Sequence, residues 1–494
     1  MPERADVLKH VISAKVNGMS ELLQQARAIY ETLPRHKLTD RIFLREPGKY
    51  YTLINYPPLK GMVEHHEERF PFLKPSSNSK RLYIHIPFCS GHCTFCNYKI
   101  IVGAQEHWTY LNYIIKEIDL LKGYFGDLSV DNVLFGGGTP SLLSLQELEY
   151  LYSNVLSRVN VTTAYLGFEV HPEMVNNPDC EAKLKLLKDL GVGRVNIGVQ
   201  AFDDDVLRAV NRRHTASDCF RIIEMCQKLD FDFINFDLIL GLPRQSLQSW
   251  EHTVKTALEL QPTSISPFYC WMKPSSPIYT HYRRKPQDFP SQEEIFLMII
   301  MYMEEFQRHG YRFGTIDYYF KPKQAIDEAQ PLNFDTFLHT DFDVLPLGIS
   351  GYGLTNDTRY MNHVELPPYY AAIDRGVLPI SRYYTLPEDD IIRLNLMYSL
   401  RYDNVNVQEF KRRYGIDLLV YFAETFQNLQ EKQLLEIDND QIRLTYLGKI
   451  FSDEVCMFFV SDRVRQNIQK DERSNDRDTN LLETYSYMYD ITNV

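Results

Sequence analysis

The sequence has no excess of basic residues: 53 Lys and Arg stand against 65 Asp and Glu in 494 residues, a formal charge of −12. With no basic stripe either, the chain is not built to bind nucleic acid. No apolar run reaches the ~18 residues that a membrane span needs. The N-terminal MPERADVLKHVIS carries charges throughout and lacks the apolar stretch of a secretory signal. Cysteine is scarce, eight in all, and Cys180, Cys219, Cys226, Cys270 and Cys456 are scattered without a pairing pattern. A disulfide framework is therefore not expected, and a reducing, cytoplasmic setting is. The GxGxxG fingerprint of dinucleotide sites and the GK[ST] ending of a phosphate loop are both missing.

What is present is ordinary in bulk, 44% hydrophobic and 24% charged residues, as in a globular protein. The length exceeds a single compact core, so two or three units are expected. Aromatics are rich, with 33 Tyr and 28 Phe, which suits either a well-filled core or a wide pocket for a flat, greasy substrate. Residues 1–78 read as a leader or lid segment, with helical spacing over Val7–Leu33, a Tyr- and Pro-rich stretch YYTLINYPPLKG, and a polar boundary KPSSNSKR.

From Arg81 the pattern alternates. RLYIHI, VDNVLF, AYLGFEV, GRVNIGV, DFINFDLIL and TSISPF read as buried strands. Between and after them lie amphipathic stretches near 106–123, 144–158, 181–190, up to Leu229, 246–260 and 292–309. Repeated βα units of this kind mean an α/β fold with a parallel sheet, a partial (βα)6-type barrel over 79–320. In such sheets the functional residues gather at the C-terminal ends of the strands. Residues 321–385 read as an irregular connecting segment carrying LGISGYG. Residues 386–470 read as a small, mainly helical, winged-helix-like domain, and 471–494 as a charged tail.

Cys89, Cys93 and Cys96, in HIPFCSGHCTFC, follow the first strand. Three thiols can hold three irons of a [4Fe–4S] cube and leave the fourth iron to a small molecule, whereas electron-transfer clusters take four thiolates. Structural zinc is the competing reading, with His85 or His92 as fourth ligand, but zinc sites favour two short ligand pairs and no second pair follows. Gly136, Gly137 and Gly138, with Thr139 and Pro140, follow the second strand and allow close approach to a ligand. Glu169, Gln200 and Asp237 occupy the same end of later strands, and Arg212 lies in VLRAVNRRH. Together they outline one polar cavity.

These stretches carry a resemblance. YIHIPFCSGHCTFC, FGGGTPSLL, FEVHP, NIGVQAFDDDVLRAVNRRH and NFDLILGLP, from Tyr83 to Pro243, are similar to the radical S-adenosylmethionine (SAM) superfamily. Within it, the chain resembles the branch of oxygen-independent coproporphyrinogen III oxidase, which includes class C radical SAM methyltransferases. A weaker match continues through LGISGYG to the C-terminal unit. The resemblance implies a [4Fe–4S] cluster on Cys89, Cys93 and Cys96, SAM on the open iron, and a 5′-deoxyadenosyl radical that abstracts hydrogen. It also implies a second SAM. Tyr83, Gly137, Glu169 and Tyr352 would contact the first; Phe95, Gly138, Thr139, Gln200, Arg212, Asp237 and the backbone around Trp271 the second. A flavodoxin- or ferredoxin-type electron donor is implied as well.

Departures from the family pattern fall where the substrate would be. The oxidases carry another Cys where this chain has Tyr98, and their leader motif differs from LINYPPLKG, as does the segment at Cys270, Trp271 and Met272. The expectation is therefore radical methyl or methylene transfer to an unsaturated carbon of a small, aromatic or tetrapyrrole substrate. The alternatives are oxidase-like decarboxylation or other anaerobic haem chemistry, and a haem chaperone using His214 or Cys219 as axial ligand.

Overall fold

The computed structural model describes residues 20–48, 56–57, 62–64, 69–76, 78–103, 107–273, 276–322, 342–402 and 405–471. The first part of the expected leader helix (Val7–Met19) and most of the charged tail (472–494) lie outside the described residues.

Six parallel strands run in sequence order: β1 (Ser79–Ile86), β2 (Ser129–Gly137), β3 (Asn160–Val170), β4 (Val192–Gln200), β5 (Phe233–Leu240) and β6 (Ser264–Tyr269). The leader contributes α1 (Glu21–Thr32); the helices that return the chain between strands are His107–Phe125 (α2), Leu145–Leu156 (α3), Cys180–Asp189 (α4), Ala216–Lys228 (α5), Leu247–Glu259 (α6) and Gln292–Arg308 (α7). Their starts are encoded locally. Ser144 with Glu147, Thr215 with Asp218, Ser246 with Ser249, and Ser291 with Glu294 each close a reciprocal capping box on the first-turn N–H groups. Strand residues alternate in role. Leu82, Ile84 and Ile86 of β1 are fully buried in the apolar core, which also holds Leu111, Ile114 and Ile118 of α2, while Tyr83 and His85 turn to the other face.

The parallel sheet does not close on itself. Beyond β6 it continues through the antiparallel pair β7 (Arg312–Thr315) and β8 (Tyr318–Phe320), with β8 against β6. The segment read as irregular, 321–385, is instead ordered into four strands over its described part: β9 (Phe342–Leu347), β10 (Tyr352–Thr355), β11 (Thr358–Asn362) and β12 (Ile380–Thr385). β9 pairs in parallel with β1, Val344 opposite Arg81, the rest follow antiparallel, and the short leader strand Val63–Glu64 adds to β12, giving one thirteen-stranded sheet. β1 would otherwise be an open edge, and β9 satisfies its outward N–H and C=O groups.

The LGISGYG loop leaving β9 is held by a buried carboxylate. Glu117 of α2 accepts hydrogen bonds from Gly348 N (2.7 Å), Asn362 Nδ2 (2.7 Å) and the Tyr369 hydroxyl (2.6 Å). Burial pushes its carboxyl up to about 8 against those three donors. Two turns earlier on α2, the Tyr110 hydroxyl donates to His85 O (2.8 Å) and accepts from Ile349 N (3.1 Å), tying the loop to the end of β1.

Residues 386 onward form a winged helix: helix Glu388–Arg401, strand Val405–Asn406, helices Val407–Tyr414, Leu418–Tyr421 and Ala423–Glu431, then the hairpin Leu435–Asp438 and Gln441–Leu444. The leader straps this unit to the barrel. The Arg45 guanidinium forks onto Glu454 (Nη2 to Oε2 3.1 Å), donates to Ile450 O, and lies 4.8 Å from the Phe451 ring centre and 5.9 Å from that of Tyr269 on β6. The Tyr56 hydroxyl reaches Asp390 (2.6 Å) and Ser461 (3.1 Å). Arg45→Ala strands the fully buried Glu454 without its cation, so a loss of about 3–5 kcal/mol is expected, seen as a lower denaturation midpoint. An unchanged midpoint would mean the strap is not what joins the two units.

Candidate active site

The cysteine loop leaves the C-terminal end of β1 and is pinned on several sides. Phe88 and Cys89 pair in parallel with Ile101 and Val102, which brings the loop's exit back beside its entry. Thr94 N donates to Val210 O (3.0 Å), Ile278 N to Thr94 O (3.1 Å), Asn211 Nδ2 to His92 O (2.7 Å), and Ser90 Oγ to Glu173 Oε2 (2.7 Å). The loop is thus fixed to the segments after β3, β4 and β6 without using the cysteine side chains. Cys89, Cys93 and Cys96 are half-buried, while the other five cysteines are buried. Burial pushes the Cys89 and Cys96 thiols up, Cys96 to about 12, and each also feels its neighbouring cysteine sulfurs.

The geometry lends the zinc reading no four-ligand site among the described residues. Among the described residues no three His, Cys, Asp or Glu side chains converge to hold one ion. His85 is buried, its Nδ1 3.1 Å from the Tyr83 hydroxyl, and burial lowers it to about 4; His92 is exposed. Three thiols on one short loop, within electrostatic reach of one another, suit a cube of several irons.

The glycine run at the end of β2 has no room for side chains. A Cβ on Gly136 would lie 2.5 Å from Glu169 Oε1, and one on Gly138 would lie 2.8–2.9 Å from backbone atoms of Ile86, Pro87 and Phe88. Gly137 has φ of +113°, and its N–H donates to Glu169 Oε2 (2.9 Å). Thr139 Oγ1 then stands 3.4 Å from Cys89 Sγ. One turn therefore places an anchored carboxylate and a hydroxyl beside the first thiol.

Across the lumen, Asn235 orients Asp237 by donating Nδ2 to Oδ1 (2.8 Å), and itself accepts from Ser264 (2.8 Å) and Ser266 (3.3 Å). Burial raises both Glu169 and Asp237 to about 7, and the charge of Glu169 adds to the rise at Asp237. Two desolvated carboxylates within electrostatic reach of each other are a receptor for a cation or for hydroxyl donors. Gln200 ends β4 in the left-handed region, φ +66°, with a buried Oε1 that has no hydrogen-bond partner. Arg212 donates Nη2 to Gly198 O and Nη1 to Cys93 Sγ (3.6 Å).

The structure thus brings Cys89, Cys93, Cys96, Gly137, Gly138, Thr139, Glu169, Gln200, Arg212 and Asp237 to one end of the parallel sheet, and Tyr83 to its lumen face. Phe95 packs into an apolar group that includes Ala201, Val206, Leu242 and Met272. Trp271 O accepts from Asn97 Nδ2 (3.4 Å), so the loop after β6 bears on the cysteine loop. Tyr352 begins β10, and its hydroxyl donates to Pro57 O (3.2 Å), joining that strand to the leader. His214 and Cys219 are buried, with His214 Nε2 held at Val199 O (3.1 Å), so neither is presented as an axial ligand. Lys273 escaped the sequence reading. It is 3% exposed, its Nζ lies 4.8 Å from the Trp271 ring centre, and burial pulls it down to about 7 beside Cys96. KPSS looks like surface loop, and only the preceding FYCWM hinted at burial.

Residues 83–257 match the model of the radical SAM superfamily, and residues 386–451 that of the HemN C-terminal domain. The oxygen-independent coproporphyrinogen III oxidase of Pseudomonas aeruginosa is 30% identical over 436 residues, covering 83% of this chain and 93% of that protein. The chain belongs to the radical SAM superfamily, in its oxygen-independent coproporphyrinogen III oxidase branch. Its cofactors are accordingly a [4Fe–4S] cluster and SAM. Bacillus subtilis heme chaperone HemW is 28% identical over 387 residues, 78% of this chain and all of that protein. The structure of Escherichia coli coproporphyrinogen III oxidase (HemN), a radical SAM enzyme, superposes with a TM-score of 0.74 at 28% identity, covering 84% of this chain and 97% of that one. These relatives favour the oxidase and chaperone alternatives over the methyl transfer that the departures at Tyr98 and Trp271 had put first. Among the described residues no helix is long and apolar enough to cross a membrane.

Proposed function

We propose that Cys89, Cys93 and Cys96 hold the cluster and that the chain is a radical SAM enzyme acting on a tetrapyrrole-type substrate. The observation that carries the first half is the set of three half-buried thiols at the sheet mouth, with Thr139 on one side and Arg212 on the other. When bound, cluster and SAM supply one-electron cleavage of a sulfonium carbon–sulfur bond and hence hydrogen-atom abstraction. The chain's residues do the rest. The Gly136–Gly138 turn lets a ligand lie against backbone. Glu169 and Asp237 take up cationic or hydroxyl groups, and a positive ligand group there restores their charged forms. Arg212 Nε, buried and without a partner, faces a carboxylate, and Gln200 Oε1 accepts from a donor. This polar set is large enough in its chemistry for two SAM molecules.

The tetrapyrrole half rests on the near full-length likeness to the oxidase and the chaperone. Carbon transfer stays as a second reading because Tyr98, at the place of the oxidases' extra Cys, is an exposed tyrosine (59%) unable to serve as a thiol. The test is anaerobic: reconstituted protein, dithionite and SAM, with and without coproporphyrinogen III. Substrate-dependent 5′-deoxyadenosine and carbon dioxide are expected. S-adenosylhomocysteine alongside 5′-deoxyadenosine would move the assignment to carbon transfer. A haem-induced Soret shift with no SAM cleavage would overturn the enzyme reading.

A further inference from the structure

Arg212 lies against one of the three loop thiols. Its guanidinium spans two elements, Nη1 to Cys93 Sγ at 3.6 Å and Nη2 to Gly198 O near the end of β4. Its backbone is fixed too, Arg212 N donating to Leu207 O (3.0 Å), while the adjacent Asn211 side chain holds His92 O. The charge reaches Cys89 and Cys96 as well as Cys93. Gly198 has no side chain to push the fork away: a Cβ there would lie 2.9 Å from Nη2. One permanently charged group is therefore locked into the shell around all three thiols.

We propose that Arg212 sets the reduction potential of the cluster, in addition to any part it takes in binding a carboxylate. The inference rests on the cysteine assignment above. Adding an electron makes the cluster more negative by one charge. A guanidinium donating to a ligand sulfur in a half-buried site stabilises that form more than the oxidised one, and so raises the potential. Because Nε is buried without a partner, a carboxylate docking there would share this charge and couple ligand binding to the ease of reduction.

The test is a potentiometric titration of the reconstituted full-length protein without SAM, followed by electron paramagnetic resonance, for wild type, Arg212→Met and Arg212→Lys. Arg212→Met should shift the midpoint to more negative potential, and Arg212→Lys, a point charge that cannot bridge both partners, should fall between. If Arg212 serves only as a carboxylate receptor, the SAM-free potential of both variants will equal the wild type, and the proposal fails. Should Arg212→Met take up no iron, the Arg212→Lys shift decides alone. A wild type with no [4Fe–4S] signal would instead overturn the cysteine assignment.

Discussion

Cys93→Ala is expected to give a folded protein with no iron–sulfur cluster and no SAM cleavage. The residue sits half-buried on a loop, outside the apolar core, and its side chain has, among the described residues, a hydrogen bond from Arg212 alone. The backbone bonds at Thr94, Ile278 and His92 hold the loop without it. Folding should therefore survive, with a stability change within the range of ordinary surface substitutions, about 0.5 kcal/mol. Cluster assembly should not, because two remaining thiolates cannot complete the ligand set of a site-differentiated cube. Iron and sulfide analysis, the visible absorbance of the cluster and 5′-deoxyadenosine yield check this together. Retained cleavage with Ala at 93 would remove the cluster from this loop.

The second large effect is expected at Gly138. Its missing Cβ would lie 2.8 Å from Phe88 O and Pro87 C and 2.9 Å from Ile86 O, all backbone atoms that no rotamer change can move. Gly138 N also donates to Ile86 O (2.8 Å). Gly138→Ala must push the strand leading into Cys89 away from the turn that carries Thr139. Displacements near 1 Å at a reacting centre cost about 10²-fold in rate, and the overpacking itself about 1–3 kcal/mol. The matched control is Gly123→Ala on α2, where no atom lies within 4 Å of the added methyl and the change should gain about 0.5–1 kcal/mol. Equal SAM turnover in the two variants would show that the turn is not part of the machinery.

Much of this architecture was legible because it is written in local pattern. Strands buried on both faces read as short β-branched runs, and four of the helices (α3, α5, α6 and α7) start at a capping Ser or Thr, so the βα units emerge largely from local pattern. The motif residues at strand ends followed from topology, since parallel strands put their C-terminal residues on one rim. The strands β9 to β12 were hidden for the opposite reason. They are four to six residues long, lie among glycines, and are strands because β1 offers an unpaired edge across the chain, which no local window contains. Glu117 was equally hidden. In an amphipathic helix it reads as a solvent-facing charge, yet it is buried by Gly348, Asn362 and Tyr369, all more than 200 residues away in sequence. Arg212 and Lys273 show the same limit at the site: residue type suggested a ligand contact for the first and nothing for the second, and only the fold sets both cations beside cysteines.

The strap made by Arg45 and Tyr56 carries a consequence for how the polypeptide is made. Arg45 finds Glu454 409 positions later, and Tyr56 finds Ser461 405 positions later. At ~5–20 residues per second, a ribosome that has just released Arg45 needs roughly 20–80 s to deliver its partner. Throughout that interval the parallel strands can assemble and the leader can dock on them through Ser20 to Glu251 and Gln25 to Glu304, while Arg45 and Tyr56 still wait for Glu454 and Ser461. The nascent chain thus passes through a stage in which the mouth of the sheet is assembled but not yet strapped to the winged helix.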